Sequence, residues 1–521
     1  MSSQWNQRKR AVHSRHGVVA AQHRLAAEAG AQVLAEGGNA MDAAVVTALV
    51  LSVVEPWLSG VGGGGFLLHA DARGQVDALD FNVRAPHALD PQTYPLAQHD
   101  QGNWFDWPSV LEERNSLGYH SICVPGAVAG LSAALERFGT LSWADALAPA
   151  IEHAERGLEV DWYAALCLSI ESAALARFPA TAELLLEQGR APRVAEGAKP
   201  HYRPMPAKAR LLRRLAQAGA RDFYEGESAD RLVADLRAGG SAIRGGDLAD
   251  YQARWLAPLR GRYREHEVYA IPGLSGGPSA LQAFVALERH TFTGGSPDAS
   301  AALAYARALQ EANRTRLTRM GHASLGQDPG CTSHVSVVDA QGRFVSLTNT
   351  LLSRFGSKVV LPESGILMNN GMLWFDPRAG QPNSIAPGAQ PLANMCPLLL
   401  GRHGRIEQAI GAAGGRAIVP ALVQLVSYQA DYGMTLEEAF HAPRLDASSS
   451  TLKVNSQAGG DIAASLAREF ATQIVEDTLY PVNFAIPSAV VRLPDSGENI
   501  GMAHPTSPWS AAAEGAPTDA R

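Results

Sequence analysis

The feature that most constrains this chain is a strand that opens on a threonine. Residues 331–339 read Cys331-Thr332-Ser333-His334-Val335-Ser336-Val337-Val338-Asp339, an alternation of polar and apolar side chains that suits a β-strand. Before it, Gln327 to Cys331 form a short polar linker containing Gly and Pro, where a peptide bond is reachable, and well after it comes the diglycine Gly414-Gly415. A threonine hydroxyl is a poor nucleophile unless a base sits beside it, and a freed α-amino group on the same residue can be that base. The pattern therefore points to a nucleophile exposed by chain cleavage. The plainer alternative is a β-branched residue at the start of an ordinary strand.

Length and composition narrow the rest. With 521 residues, 46% of them hydrophobic, the chain can fill a sizeable core. A net charge of −7 with scattered Lys and Arg gives no basic field, so nucleic acid is not an expected partner. The charged start, Met1 to Arg10, is followed by no apolar stretch of signal-peptide length, and no later segment suits a bilayer. A cytoplasmic protein without a membrane partner is expected. The four cysteines, Cys123, Cys167, Cys331 and Cys396, lack Cys-x-x-Cys spacing, and no His/Asp/Cys cluster has metal spacing, so no disulfide framework, metal or cofactor is expected. Cys331 reads as a small residue ahead of a cleavage point.

Along the chain, Gly17 to Val54 reads as helical with a break at Gly37-Gly38-Asn39, and the glycine-rich run Ser59 to Gly65 precedes a strand over 66–70. Without a following Gly-Lys-Ser/Thr, that run is a structural turn or a backbone-lined pocket wall sooner than a phosphate cradle. Residues 76–84 read as a strand, 125–240 as mostly helical, and 334–338, 343–348, 366–369 and 397–400 as strands. The tail Ser507–Arg521 reads as mobile. Arg314, Arg316 and Arg319 read as a solvated or ion-paired helix face. Trp104, Trp107 and Tyr119 suit packing better than a loop over the site, and His334 suits a structural role.

Taken together, Gly37-Gly38-Asn39-Ala40-Met41-Asp42-Ala43-Ala44, Val54-Glu55-Pro56, Ser59-Gly60-Val61-Gly62-Gly63-Gly64-Gly65-Phe66, Val124-Pro125-Gly126, Thr332-Ser333-His334, Glu363-Ser364-Gly365-Ile366 and Gly414-Gly415 resemble the γ-glutamyltranspeptidase family over about residues 17 to 500. The resemblance implies an α/β fold, the four-layer αββα sandwich of N-terminal-nucleophile hydrolases. It implies one chain cut between Cys331 and Thr332 into a large subunit, 1–331, and a small subunit, 332–521, both within one αββα domain; a dimer of the cleaved unit is left open. By the same likeness Thr332 attacks the amide carbonyl, Gly414 and Gly415 offer N–H groups to the oxyanion, and Thr350 assists the nucleophile and its maturation.

The substrate-recognition positions depart from the family. Its carboxylate-binding arginine is Asn82 here, in Asp80-Phe81-Asn82-Val83-Arg84-Ala85-Pro86, and Arg84 lies two residues on, on the same strand face. From that shifted place Arg84 can still offer a guanidinium to a substrate carboxylate, and a structural ion pair accounts for it equally well. The family's asparagine is Leu352, its glutamine Gly371, its aspartate Trp374, and its paired serines Ala393-Asn394. Loss of the acid removes the countercharge for a substrate ammonium, whose unpaired burial costs several kcal/mol. The expected substrate is a small-molecule amide of a compact, carboxylate-bearing acid without an amine, and in this the chain resembles the oxamate amidohydrolases, a cytoplasmic branch of the family. Alternatives are a γ-glutamyltransferase or glutathione hydrolase with a rearranged pocket, a cephalosporin-type dicarboxylic acylase, and a catalytically silent binding protein.

Overall fold

Strands that are apolar on both faces need cover on both faces, and this chain supplies it with two stacked seven-stranded sheets between two helical layers. The structure, a computed structural model, describes residues 7–98, 107–194, 197, 199–322, 331–480 and 483–517, with Cys331 and Thr332 as strand backbone. One sheet runs, edge to edge, Ala511–Glu514, Val18–Ala21, Cys331–Val338, Phe344–Leu352, Gly64–Ala70, Val76–Phe81 and Arg254–Leu256. The other runs Val12–Ser14, Asn499–Ala503, Ile486–Arg492, Arg405–Ala413, Leu398–Arg402, His266–Ala270 and Leu259–Tyr263. Every pairing within these two sheets is antiparallel.

The period-two alternation of strand side chains sorts the core into layers. Phe66, Leu68 and Phe344 meet Leu399, Ala409 and Val490 between the sheets. Leu67, Val335 and Val337 face a helical layer that includes Ala40–Val54, and Leu398, Leu400 and Ile410 face the opposite layer with Ala299–Arg319 and Ile418–Tyr432. All fifteen residues of Ala40–Val54 are buried. Its start is fixed by a capping box in which Asn39 Oδ1 accepts from the Met41 and Asp42 N–H groups and Asp42 Oδ2 accepts from Asn39 N–H, a device worth about 1 kcal/mol. The Gly-Gly-Asn-Ala-Met-Asp motif is therefore a helix start.

The glycine run is a close-approach segment. A Cβ at Gly63 or Gly65 would lie 2.0 Å from the carbonyl oxygen of Thr350 or Thr348, so these positions let the run lie against the strand Phe344–Leu352.

Four expectations change. Val18–Ala21 is a strand, not the start of a helix; four apolar residues cannot be told from helix by periodicity. The strand expected over 76–84 ends at Phe81, and Arg84 forms only an isolated bridge to Val124. Residues 366–369 make isolated bridges through Leu367 and Met368 instead of joining a sheet. The tail contributes Ala511–Glu514 as an edge strand on Val18–Ala21, while 518–521 lie outside the described residues. No helix among the described residues is long and apolar enough to cross a membrane.

Candidate functional site

Thr332 lies at an irregularity in the middle of a sheet. Its strand runs between Val18–Ala21 and Phe344–Leu352, and the register with the latter slips between Cys331, opposite Leu352, and Ser333, opposite Asn349. A bulge of this kind leaves one residue out of the ladder and re-aims the chain locally. The interval that slips holds Thr332. The polar linker expected ahead of it falls on 323–330, outside the described residues.

Around this strand start the polar groups are buried and mostly engaged. Ser333, next along the strand, donates its hydroxyl to Glu55 Oε2 at 3.3 Å, and Glu55 is buried at the C-terminal end of Ala40–Val54. Burial pushes the Glu55 carboxyl up to about 8; the Ser333 hydrogen bond and the Arg354 charge only partly oppose this. His334 donates its backbone N–H to Gln22 Oε1, and Gln22 Nε2 donates to the Ile486 carbonyl at 3.1 Å, which ties the two sheets together at this point. The His334 ring is fully buried between Thr348 Oγ1 and Ser336 Oγ, both at 2.9 Å, and burial lowers its pKa to about 3. A neutral, doubly engaged imidazole is a structural group, as expected.

On the neighbouring strand, Thr350 is fully buried and its Oγ1 accepts the Leu352 N–H at 2.8 Å. Leu352 has φ +86°, a conformation rare for a branched side chain. It joins Trp374, Ala393, Met372, Val83 and Trp107 in one buried apolar cluster. Trp374 is 1% exposed. The positions where the family resemblance expects an asparagine, an aspartate and a serine thus hold packed hydrocarbon and an indole.

The diglycine closes the strand Arg405–Ala413 of the opposite sheet. Gly414 has φ +137° and Gly415 φ +61°, and a Cβ on Gly414 would lie 2.6 Å from Ala485 Cα. The turn Gly415–Ala417 leads into the helix Ile418–Tyr432 and packs against the threonine strand. Neither glycine N–H donates to a described acceptor. Two backbone donors at a helix start suit an anion. Nearby in sequence, Asn394 is 2% exposed; its Oδ1 accepts from Arg316 Nη2 at 3.1 Å, and its Nδ2 has no partner.

Asn82 and Arg84 are placed differently from one another. Asn82 is buried, with Nδ2 on the Pro391 carbonyl at 3.3 Å and Oδ1 on the Val83 N–H at 2.9 Å, so its amide ties the strand end to the segment that carries Ala393-Asn394. Arg84 is half-buried with its guanidinium 5.7 Å from the centre of the Tyr251 ring, and no ion pair or hydrogen bond joins its side chain to Thr350, Asn394 or the diglycine. Trp107 is buried in the apolar cluster and Tyr119 is half-buried; Trp104 lies outside the described residues. No group of three His, Cys, Asp or Glu suited to a metal occurs among the described residues.

Sequence reasoning missed two residues here. Arg316, expected on a solvated or ion-paired face, is 3% exposed and reaches Ser279 Oγ, the Ala393 carbonyl and Asn394 Oδ1. The signal was available: Ala308, Ala312 and Arg316 follow one another at helical spacing on the buried stripe of Ala299–Arg319. Glu55 belongs to the Val54-Glu55-Pro56 motif, but only its contact with Ser333 gives it a place.

The family model described as Gamma-glutamyltranspeptidase matches residues 26–325 and 310–514. The chain is 33% identical over 474 residues to the Acylase ACY 1 proenzyme of Pseudomonas sp. (strain SE83), covering 84% of this chain and 83% of the relative. It is 31% identical over 486 residues to the Glutathione hydrolase proenzyme of Escherichia coli (strain K12), covering 83% and 81%. The crystal structure of cephalosporin acylase from Bacillus halodurans superposes with a TM-score of 0.87 at 25% identity, covering 98% of both chains. The αββα sandwich is that of the N-terminal-nucleophile hydrolases, and the chain is an enzyme of the gamma-glutamyltranspeptidase family.

Proposed function

We propose that this protein is made as a proenzyme, cut between Cys331 and Thr332 into chains 1–331 and 332–521, and that it then hydrolyses the amide of a compact, carboxylate-bearing acid that lacks an α-amine. Thr332 is the nucleophile and its freed α-amino group the base. The Gly414 and Gly415 N–H groups receive the oxyanion, where one donor is worth roughly 3–4 kcal/mol. Thr350 holds the turn at Leu352 beside the nucleophile strand.

The observation that carries the substrate assignment is the buried apolar cluster of Leu352, Trp374 and Ala393. A substrate ammonium placed there would meet no countercharge, and its desolvation, several kcal/mol, exceeds what packing returns. On this reading the acyl carboxylate lies on the Asn394 side of the cluster, where the Nδ2 amide has no protein partner and Oδ1 accepts from Arg316 Nη2 at 3.1 Å. The compact cluster favours a short acid of the oxamate type. A second reading, an acylase for a longer dicarboxylic acyl chain, is supported by the likeness to Acylase ACY 1 and to the cephalosporin acylase structure.

Three substrates separate these readings: γ-glutamyl anilide, glutaryl anilide, which is the same acyl chain without its amine, and oxamate. Turnover of oxamate or glutaryl anilide at a kcat/KM at least tenfold above that of γ-glutamyl anilide is the expected result, oxamate favouring the short acid and glutaryl the long one. Faster turnover of γ-glutamyl anilide would overturn the assignment.

A further inference from the structure

On the reading that cleavage makes Thr332 a chain terminus, no residue precedes it and its position rests on those that follow. The ladder does not hold it directly. Pairing with Phe344–Leu352 slips across Thr332, and Ser333, opposite Asn349, is the first residue back in register. Chain ends stay in place only where neighbouring groups tie them down. His334 has such a tie in its backbone N–H, which donates to Gln22 Oε1. At Ser333, one residue nearer the terminus, the tie is the hydroxyl donated to Glu55 Oε2 at 3.3 Å.

Glu55 is a firm support for that contact. It closes the helix Ala40–Val54, every residue of which is buried, and its own N–H donates to the Leu51 carbonyl at 3.0 Å. The segment just beyond it is bound to the end of the neighbouring strand and the turn that follows: Leu351 N–H donates to the Leu58 carbonyl at 2.9 Å, and Phe355 N–H to the Trp57 carbonyl at 2.8 Å. Glu55 therefore stands where the helix end, the start of the threonine strand and the end of the Thr350 strand meet. Its carboxyl, pushed up to about 8 by burial against the pull of Ser333 and Arg354, is an uncharged hydrogen-bonding group at neutral pH. Glutamine is its nearest match in shape and polarity.

We propose that Glu55 is a positioning residue for the nucleophile: through the Ser333 hydroxyl it holds the backbone at the start of the threonine strand, and so sets the rate at which the Cys331–Thr332 bond is cut. A misplacement of about 1 Å costs a reaction on the order of 10²-fold. Loss of this tether slows cleavage in a chain that still folds.

The test follows self-cleavage of the full chain, made by cell-free synthesis at neutral pH, as conversion of the intact band into two shorter ones. Wild type is compared with Glu55→Gln, Glu55→Met, Ser333→Ala and the double variant Glu55→Met/Ser333→Ala, and resistance to trypsin reports that each chain folds. Methionine keeps the length of the side chain without its oxygens. The expected result is cleavage at least about tenfold slower in Glu55→Met and in Ser333→Ala, a double variant within about twofold of the slower single because both remove one contact, and Glu55→Gln within about threefold of wild type. A contact that only stabilised the fold would leave cleavage of the folded chains unchanged. If Glu55→Met does not fold, Ser333→Ala against wild type decides alone. Cleavage of Ser333→Ala at the wild-type rate, a Glu55→Gln chain as slow as Glu55→Met, or slowing that multiplies in the double variant would overturn the proposal. A wild type that is never cut would instead overturn the reading of Thr332 on which it rests.

Discussion

Replacing Glu55 by glutamine removes a buried ionisable proton and leaves the buried shape in place. The side chain is 3% exposed and receives the Ser333 hydroxyl at 3.3 Å. Burial raises its pKa from 4.5 to about 8, so the folded protein keeps the proton at pH values where the unfolded chain has released it. Below about pH 4.5 both states are protonated and the glutamate costs nothing relative to glutamine. Between 4.5 and 8 the unfolded state gains about 1.36 kcal/mol per pH unit, and above 8 the loss levels off. At pH 7 the folded wild type is therefore destabilised by roughly 3 kcal/mol relative to Glu55→Gln, and at pH 5 by under about 1 kcal/mol. Urea denaturation followed by tryptophan fluorescence, on both proteins in the same state of cleavage, reads the difference. The variant should unfold at clearly higher urea at pH 8 and almost together with wild type at pH 5. A gap independent of pH, or a more stable wild type at pH 8, would refute the reasoning and mean that Glu55 is ionised and paired in the folded state.

Other positions give further tests. At Leu352, where φ is +86°, Leu352→Gly should be more stable than Leu352→Ala by about 1 kcal/mol, the reverse of the usual order, because only glycine adopts that backbone without strain; chemical denaturation of the two variants decides it. Gly414→Ala places a Cβ 2.6 Å from Ala485 Cα and should lower kcat by about 10²–10³, the scale of a lost oxyanion donor, with the substrate complex still detectable by titration. Arg316→Met releases Asn394 Oδ1 and the Ala393 carbonyl and should raise KM for a carboxylate-bearing amide by tenfold or more with kcat less affected. Unchanged KM would remove Arg316 and Asn394 from substrate recognition.

The layer order, the long buried helix and the threonine strand were legible in the sequence because each rests on local periodicity or on motifs held in order. Asn39, Ala40 and Asp42 carry a helix start within four residues, and Val335 and Val337 alternate with His334 and Ser336. What could not be read depends on contacts between distant segments. The tail strand Ala511–Glu514 gains its order from Val18–Ala21 at the opposite end of the chain, and neither segment announces a strand alone. Arg316 resembles its exposed neighbours Arg314 and Arg319 in type, and only the position of its helix against Ala393-Asn394 buries it. Arg84 was expected to share a strand face with Asn82, but the strand stops at Phe81, and beyond it the two side chains take separate partners, Tyr251 for Arg84 and the Pro391 carbonyl for Asn82. The bulge at Thr332 is likewise a property of pairing, visible only once Cys331 is set against Leu352 and Ser333 against Asn349.

The central claim is that cleavage makes Thr332 a chain terminus, and intact-mass spectrometry of the purified protein beside its Thr332→Ala variant tests it most directly. The account predicts two chains from the wild type, the smaller beginning at Thr332, and a single uncut chain from the variant. A wild type that stays whole on incubation, or a variant cut at the same bond, would contradict it.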